Sequence, residues 1–172
     1  EKEKIEGKAI SAWFCPDVLV AEETKRQIER INLNVELITA KTPIKERLEI
    51  LSKHEAGEIE CLISVGVLSE GWDNPNCNII VHLRPTLSKV FWGQSVGRGL
   101  RSAKDKSKCL VIDVSSNFTT FGPVEKLKWK LWNHRKSYLE FKNRFNWVSK
   151  QKYIENRDFT YMLCEGSGDN GK

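Results

Sequence analysis

Apolar and polar positions follow two rhythms along this chain. Five short runs are continuously apolar or nearly so: AISAWF (9–14), VELI (35–38), ECLIS (60–64), NIIVHL (78–83) and KCLVIDV (108–114). Continuous rather than alternating hydrophobicity is what a strand needs when its sheet is covered on both faces. Between these runs the spacing turns helical. VLVAEETKRQIERI sets Ala21, Thr24, Ile28 and Ile31 on one face. A second helix is expected from Pro43, a residue suited to the first helical position, with Thr42 as its cap. Ile44, Leu48 and Leu51 would form its apolar stripe, and Gly57 would end it. Strands alternating with helices in this order predict an α/β fold, a parallel sheet with helices on both faces. No internal repeat interrupts it. At FTTFGP (118–123) the pattern breaks, so the expected division is a lobe over 1–122, a helical extension over 123–164 and a flexible tail over 165–172.

Composition narrows the class. The chain has 172 residues, 40% hydrophobic and 30% charged, which suits one folded domain with an appendage and excludes a disordered chain. No apolar run approaches the roughly 18 residues that span a bilayer, and nothing resembles a signal peptide, so no membrane partner is expected. Five cysteines are scattered without a CxxC, and three of them, Cys15, Cys61 and Cys109, fall in or beside strand-like runs. Cysteine there behaves as a small hydrophobe, which fits a reducing, cytoplasmic setting and argues against disulfides or zinc. The three histidines have no metal-ligand spacing and read as ordinary surface or core residues. The N-terminus EKEKIEGKAI is charged, and a strand starts almost at once, as in a piece of a longer protein.

The net charge of +5 is unevenly spread: residues 124–152 hold nine Lys/Arg against Glu125 and Glu140, so the remainder is net negative. Trp129, Trp132, Tyr138, Phe141, Phe145 and Trp147 are interleaved with these cations. Cations on phosphates and aromatics on bases would make a nucleic-acid surface. Equally, the aromatics could pack helices back onto the lobe while the lysines stay solvated.

Ligands of open parallel sheets bind beyond the C-terminal ends of the strands. Three polar stretches are expected there: TAKTP, VGVLSEGWDNP (65–75), and RPTLSKVFWGQSVGRGLR (84–101), which leads through a helix to Arg98 and Arg101. Gly71 would let backbone approach a ligand and Asp73 could accept from a ribose hydroxyl, although Gly, Asp, Asn and Pro together also suit a plain turn. Arg98 and Arg101 share a helix face. Two planar forks aimed together suit a phosphoryl group, and a cation at a helix C-terminus is the simpler alternative.

In combination these segments are far more specific. VGVLSEGWDNPNCNIIVHLRPTLSKVFWGQSVGRGLR resembles motifs V and VI of superfamily-2 helicases, the DEAD/DEAH-box-like ATP-driven motors. FCPDVLVAEE resembles their motif IV, and LITAKTPIKERLEILSKHEAGEIECLIS the middle of the same lobe, so the resemblance covers about residues 9 to 114 in order. It is nearest the branch with an EGxD motif V and a QxxGRxxR motif VI, which includes repair helicases and restriction-enzyme motors. The resemblance implies the second RecA-like lobe of a two-lobed motor, with ATP and Mg²⁺ held mainly by a first lobe. It implies that Arg98 and Arg101 are arginine fingers, that Gln94 couples nucleotide to the partner lobe, and that Asp73 and Gly71 lie by the ribose. Phe14, Cys15, Pro16, Thr39, Ser64 and Val65 would face a nucleic-acid backbone. Valine stands at 65 where many relatives carry a hydroxyl.

The partners implied are DNA or RNA, with DNA favoured, and the first RecA-like lobe of the same polypeptide. That lobe's signatures, GxxxxGK[ST] and a DExH-type acid pair, are not in this sequence. GSGDNGK (166–172) fits only GxxxxGK, lacks the Ser/Thr magnesium ligand and reads as a polar tail. The chain by itself is therefore expected to be inactive as an ATPase. The alternative is a nucleic-acid-binding or regulatory module that keeps the fold without the chemistry.

Overall fold

A computed structural model describes residues 8–68, 72–104, 106–127, 154–156 and 159–165. Strands β1 (Ser11–Phe14), β2 (Val35–Ile38), β3 (Cys61–Ser64), β4 (Ile79–His82) and β5 (Lys108–Asp113) all run parallel, in the order β2-β3-β1-β4-β5. They coincide with the five apolar runs. Helix α1 (Val18–Glu29) joins β1 to β2, α2 (Ile44–Glu55) joins β2 to β3, and α3 (Lys89–Gly99) joins β4 to β5. A short α4 (Asn117–Phe121) follows β5. Among the described residues no helix is long and apolar enough to cross a membrane.

Both faces of the sheet are covered, as the unbroken apolar runs require. On one face Ala21 and Ile28 of α1 pack with Cys15, Val35, Cys61 and Ile63. On the other, Ile50 of α2 and Trp92 and Val96 of α3 pack with Ala12, Phe14, Leu62, Ile80 and Val111. A fully buried large apolar side chain such as Trp92 contributes about 1.5–3 kcal/mol, which offsets the low helix propensity of the glycines in α3.

Several local expectations change. Ile31 is exposed, because α1 ends at Glu29 and the chain turns through Asn32 at φ 57°. The stripe on α2 is rotated: Ile44 and Leu48 face solvent, and the buried positions are Ile50 and His54. Thr42 does not cap α2; its hydroxyl accepts from the Thr39 N–H at 3.0 Å, and Pro43 stands at the cap without a side-chain bond. Gly57 does end that helix, in left-handed conformation at φ 76°. Its N–H donates to the His54 carbonyl and that of Glu58 to Lys53, the paired bonds of a Schellman stop.

Beyond residue 127 the expected helical extension is strand where it is described. β6 (Ile154–Asn156) and β7 (Phe159–Glu165) are antiparallel, and β7 pairs with β5 from Lys108↔Glu165 to Asp113↔Thr160. FTYMLC (159–164) thus extends the sheet. The basic, Trp-rich segment over 128–153 lies outside the described residues.

A right-handed parallel crossover returns each helix to the edge where strands begin. α3 shows this directly. Its first turns lie at the strands' C-terminal ends, with the Phe91 ring edge-on to Phe14 at 6.0 Å and to His82 at 6.2 Å. Its last residue, Gly99, rests on Ile80 and Cys109, near the starts of β4 and β5. Arg98 and Arg101 therefore sit at the strands' starting edge, not at the C-terminal ends where the sequence suggested them.

Gly99 fixes that end of the helix. A Cβ there would stand 2.5 Å from both Cys109 Sγ and Ile80 Cγ1, whereas one at Gly97 would meet nothing within 4 Å. Gly99→Ala is expected to cost about 1–3 kcal/mol through overpacking. Gly97→Ala should be neutral or stabilising by up to about 1 kcal/mol. Thermal melting of the two variants checks this, and equal melting temperatures would contradict it.

Candidate functional site

The starting edge gathers the two arginines around the loop between β3 and β4. Ser88 caps α3, its Oγ accepting from the Phe91 N–H at 3.2 Å, and the helix delivers Arg98 in its last turn. Arg98 Nη1 donates to the Trp72 carbonyl, and Arg101 Nη1 pairs with Asp73 Oδ2. Two consecutive residues of the loop thus receive two guanidinium groups three residues apart. The Arg101 and Asp73 side chains are 43% and 52% exposed, so the pair contributes at most about 1 kcal/mol and serves chiefly to orient the groups. Asp73 keeps a second carboxylate oxygen for a hydroxyl donor. Gln94 is exposed on α3, one turn before Arg98. Gly71 lies outside the described residues.

Buried polar side chains hold this loop from beneath. Asn74 donates to the His54 carbonyl at 3.1 Å, and its Nδ2 stands 3.0 Å from His54 Nδ1. With Nδ1 accepting, the proton is on Nε2, which reaches the Ser11 carbonyl at 3.2 Å. Both residues are essentially inaccessible, and burial pushes the His54 pKa down to about 4 against the raising effect of the Ser11 bond. Asn74 Oδ1 accepts from the Asn76 N–H at 3.0 Å. Asn78 accepts from the Ile10 N–H at 2.9 Å and donates to the Lys8 carbonyl at 3.0 Å. In DNPNCN the asparagines look like turn formers, yet their side chains satisfy main-chain groups of a long loop. Their alternation over 74, 76 and 78 is the signal that could have shown it.

The six residues expected to face nucleic acid collect at the opposite edge. Phe14 is paired in register with Ser64, and Ser64 with Ile38, which brings Cys15–Pro16, Thr39 and Val65 to the ends of three adjacent strands. Thr39 Oγ1 accepts from the Lys41 N–H at 3.2 Å. Arg47 of α2 donates through Nη2 to the Thr39 and Thr42 carbonyls at 3.2 and 3.3 Å, fixing that turn. Pro16, Thr39 and Val65 are partly exposed, while Phe14, Cys15 and Ser64 are buried. The Phe14 ring stacks on His82 with centroids 4.9 Å apart, the Cys15 thiol is pushed by burial up to about 11, and Ser64 Oγ accepts from the Leu68 N–H at 3.2 Å. Their side chains support the edge from below.

His82, unremarked in the sequence, links that support to α3. Its Nε2 lies 2.9 Å from Ser95 Oγ, and its ring also packs against Trp92 at 4.9 Å. Burial lowers its pKa to about 3. The site is therefore two edges with one helix between them. One edge presents paired guanidinium groups and a carboxylate, a set able to meet phosphate and hydroxyl groups. The other presents strand ends and tight turns.

Comparison with known proteins bears on the family and the fold. The family model described as "Helicase conserved C-terminal domain" matches residues 5–103. IRC3 of Saccharomyces cerevisiae, provisionally named as an ATP-dependent helicase, is 40% identical over 81 residues; these are 47% of this chain and 12% of that protein. The chain thus spans only a small part of the length of that relative. The C-terminal domain of the DEAD-box protein Dbp5 superposes with a TM-score of 0.56 at 17% identity, over 69% of this chain and 68% of that one. The Mycobacterium smegmatis helicase Lhr, bound to ssDNA and AMP-PNP, superposes with a TM-score of 0.51 at 15% identity, over 57% of this chain and 14% of that one. Parallel strand order, both covered faces and the matched span agree: the chain belongs to the helicase conserved C-terminal domain family and has its RecA-like fold.

Proposed function

We propose that the chain is the second motor lobe of an ATP-dependent nucleic-acid helicase or translocase, working against a first RecA-like lobe that binds most of the ATP and Mg²⁺. The observation that carries this is the convergence of Arg98 and Arg101 on consecutive residues Trp72 and Asp73, at one edge of the sheet. From there the two guanidinium groups reach the γ-phosphate across the cleft and meet charge that builds on the phosphoryl oxygens during cleavage. Asp73 takes the ribose, and Gln94 touches the partner lobe. The opposite edge, with Pro16, Thr39 and Val65 at its surface, follows the backbone of a nucleic acid, DNA in the first instance. The ssDNA held by Lhr and the repair and restriction motors among the EGxD branch support that choice.

The 172-residue chain alone supplies arginines and no phosphate cradle. Purified by itself it is expected to show no ATP turnover above background, with or without nucleic acid, while a two-lobed protein containing it shows nucleic-acid-stimulated turnover. Turnover by the isolated chain that disappears in Arg98→Ala would contradict the division of labour. A two-lobed protein that binds nucleic acid yet never hydrolyses ATP would favour the non-catalytic module.

A further inference from the structure

We infer that Lys106 is a positioning residue for the arginine pair, an inference that rests on the finger reading above and extends it. Arg101 lies two residues beyond the end of α3, so no helical hydrogen bonds hold its main chain in place. Lys106 supplies that hold. Its Nζ donates to the Arg101 carbonyl at 2.8 Å and to the Pro75 carbonyl at 3.0 Å. Pro75 is two residues beyond Asp73, the partner of the Arg101 side chain. One ammonium group therefore ties the main chain of the arginine to the loop that aims its guanidinium.

The connection back to Lys106 is short and closed. Ala103 and Lys106 form an isolated antiparallel bridge, with the Lys106 N–H donating to the Ala103 carbonyl at 3.2 Å. Lys106 is thus joined to the segment after α3 at two points, by the bridge to Ala103 and by its amine to the Arg101 carbonyl. The amine is half-buried, which opposes its charge; two carbonyl acceptors offset that cost. A flexible surface lysine would spend its freedom in solvent. This one is turned inward to two carbonyls from different loops. Catalytic electrostatics depends steeply on placement, and a misplacement of about 1 Å can cost as much as a hundredfold in rate.

The test is a double-mutant cycle on nucleic-acid-stimulated ATPase in a two-lobed protein carrying this chain, with melting temperatures measured in parallel. K106M keeps the apolar stem and removes the donors. It is expected to lower kcat about tenfold while KM for ATP and the melting temperature stay close to wild type. K106R, which restores charge and donors, is expected to recover part of that loss. In an R101K background K106M should add less than about twofold, because it acts through the same guanidinium. K106Q is measured alongside, so that the comparison survives a poorly folding methionine variant. Unchanged kcat in K106M and K106Q, multiplicative losses in the double mutant, or a kcat loss that tracks the melting temperature would each overturn the positioning role. Near-normal turnover in R101K would overturn the finger reading itself. A normal K106M beside an inactive R101K would remove only Lys106.

Discussion

Arg98→Lys and Arg101→Lys, each in a two-lobed protein, are expected to lower ATP turnover by a hundredfold or more while ATP and nucleic-acid affinity stay close to wild type. A lysine keeps the charge but offers a point contact on a flexible stem, whereas a guanidinium meets two phosphoryl oxygens with aligned donors. Arginine fingers in other phosphate-cleaving enzymes are worth about 10³–10⁵ in rate, roughly 4–7 kcal/mol. A helix-terminal arginine that only complements the helix dipole is worth about 1 kcal/mol or less, and in stability rather than rate. The half-exposed Arg101–Asp73 pair has no more than that to lose. The two expectations are too far apart to be confused. Single-turnover and steady-state hydrolysis, with melting curves on the same samples, decide between them. Normal turnover with a lowered melting temperature would make the arginines structural.

Acid should unfold this lobe well before ordinary carboxylate chemistry requires it. His54 and His82 are buried in neutral form, with pKa values of about 4 and about 3. Both lie below the unfolded value of about 6.5. Between pH 6.5 and 4 the unfolded chain takes up protons that the folded one refuses, so stability is complete above about 6.5 and falls as pH drops. The slope is about 1.4 kcal/mol per pH unit for each histidine. At pH 5 the two together remove on the order of 4 kcal/mol, a large share of the 5–15 kcal/mol typical of a domain. Urea midpoints at pH 7, 6 and 5 measure it. A flat midpoint over that range would show that both rings are protonated, or reached by water, in the folded state.

The parallel sheet was legible because strands covered on both faces must be apolar throughout, and 35–38 in particular coincides with β2 from end to end. The stop at Gly57 was legible for an equally local reason, since left-handed backbone favours glycine. The face of α2 was not. Its buried side is chosen by His54, whose partners Asn74 and Ser11 lie 20 and 43 residues away, so no local periodicity records it. β7 falls in the stretch expected to be helical, and its antiparallel partner β5 lies about 50 residues earlier in the chain, beyond the reach of any local pattern. Arg98, Arg101 and Asp73 were singled out by the resemblance of their segments to helicase motifs, and their closeness follows from the fold. Which edge they occupy follows from the crossover that runs α3 back antiparallel to the strands. Lys106 carries no sequence signal at all: its role comes only from two carbonyls brought to it by separate loops.

Helix α3 spans 11 residues, about 16 Å of rod. One end is seated in the aromatic packing of Phe14, His82 and Phe91, and the other is stopped against Ile80 and Cys109 at Gly99. A rod seated at both ends cannot absorb displacement by bending in its middle, where Trp92 and Val96 are fully enclosed. Any displacement it undergoes is that of a lever. A shift of the strand-end turns would therefore reach Arg98, in the last turn of the helix, as a translation or tilt of one solid piece, with the aromatic seat as fulcrum.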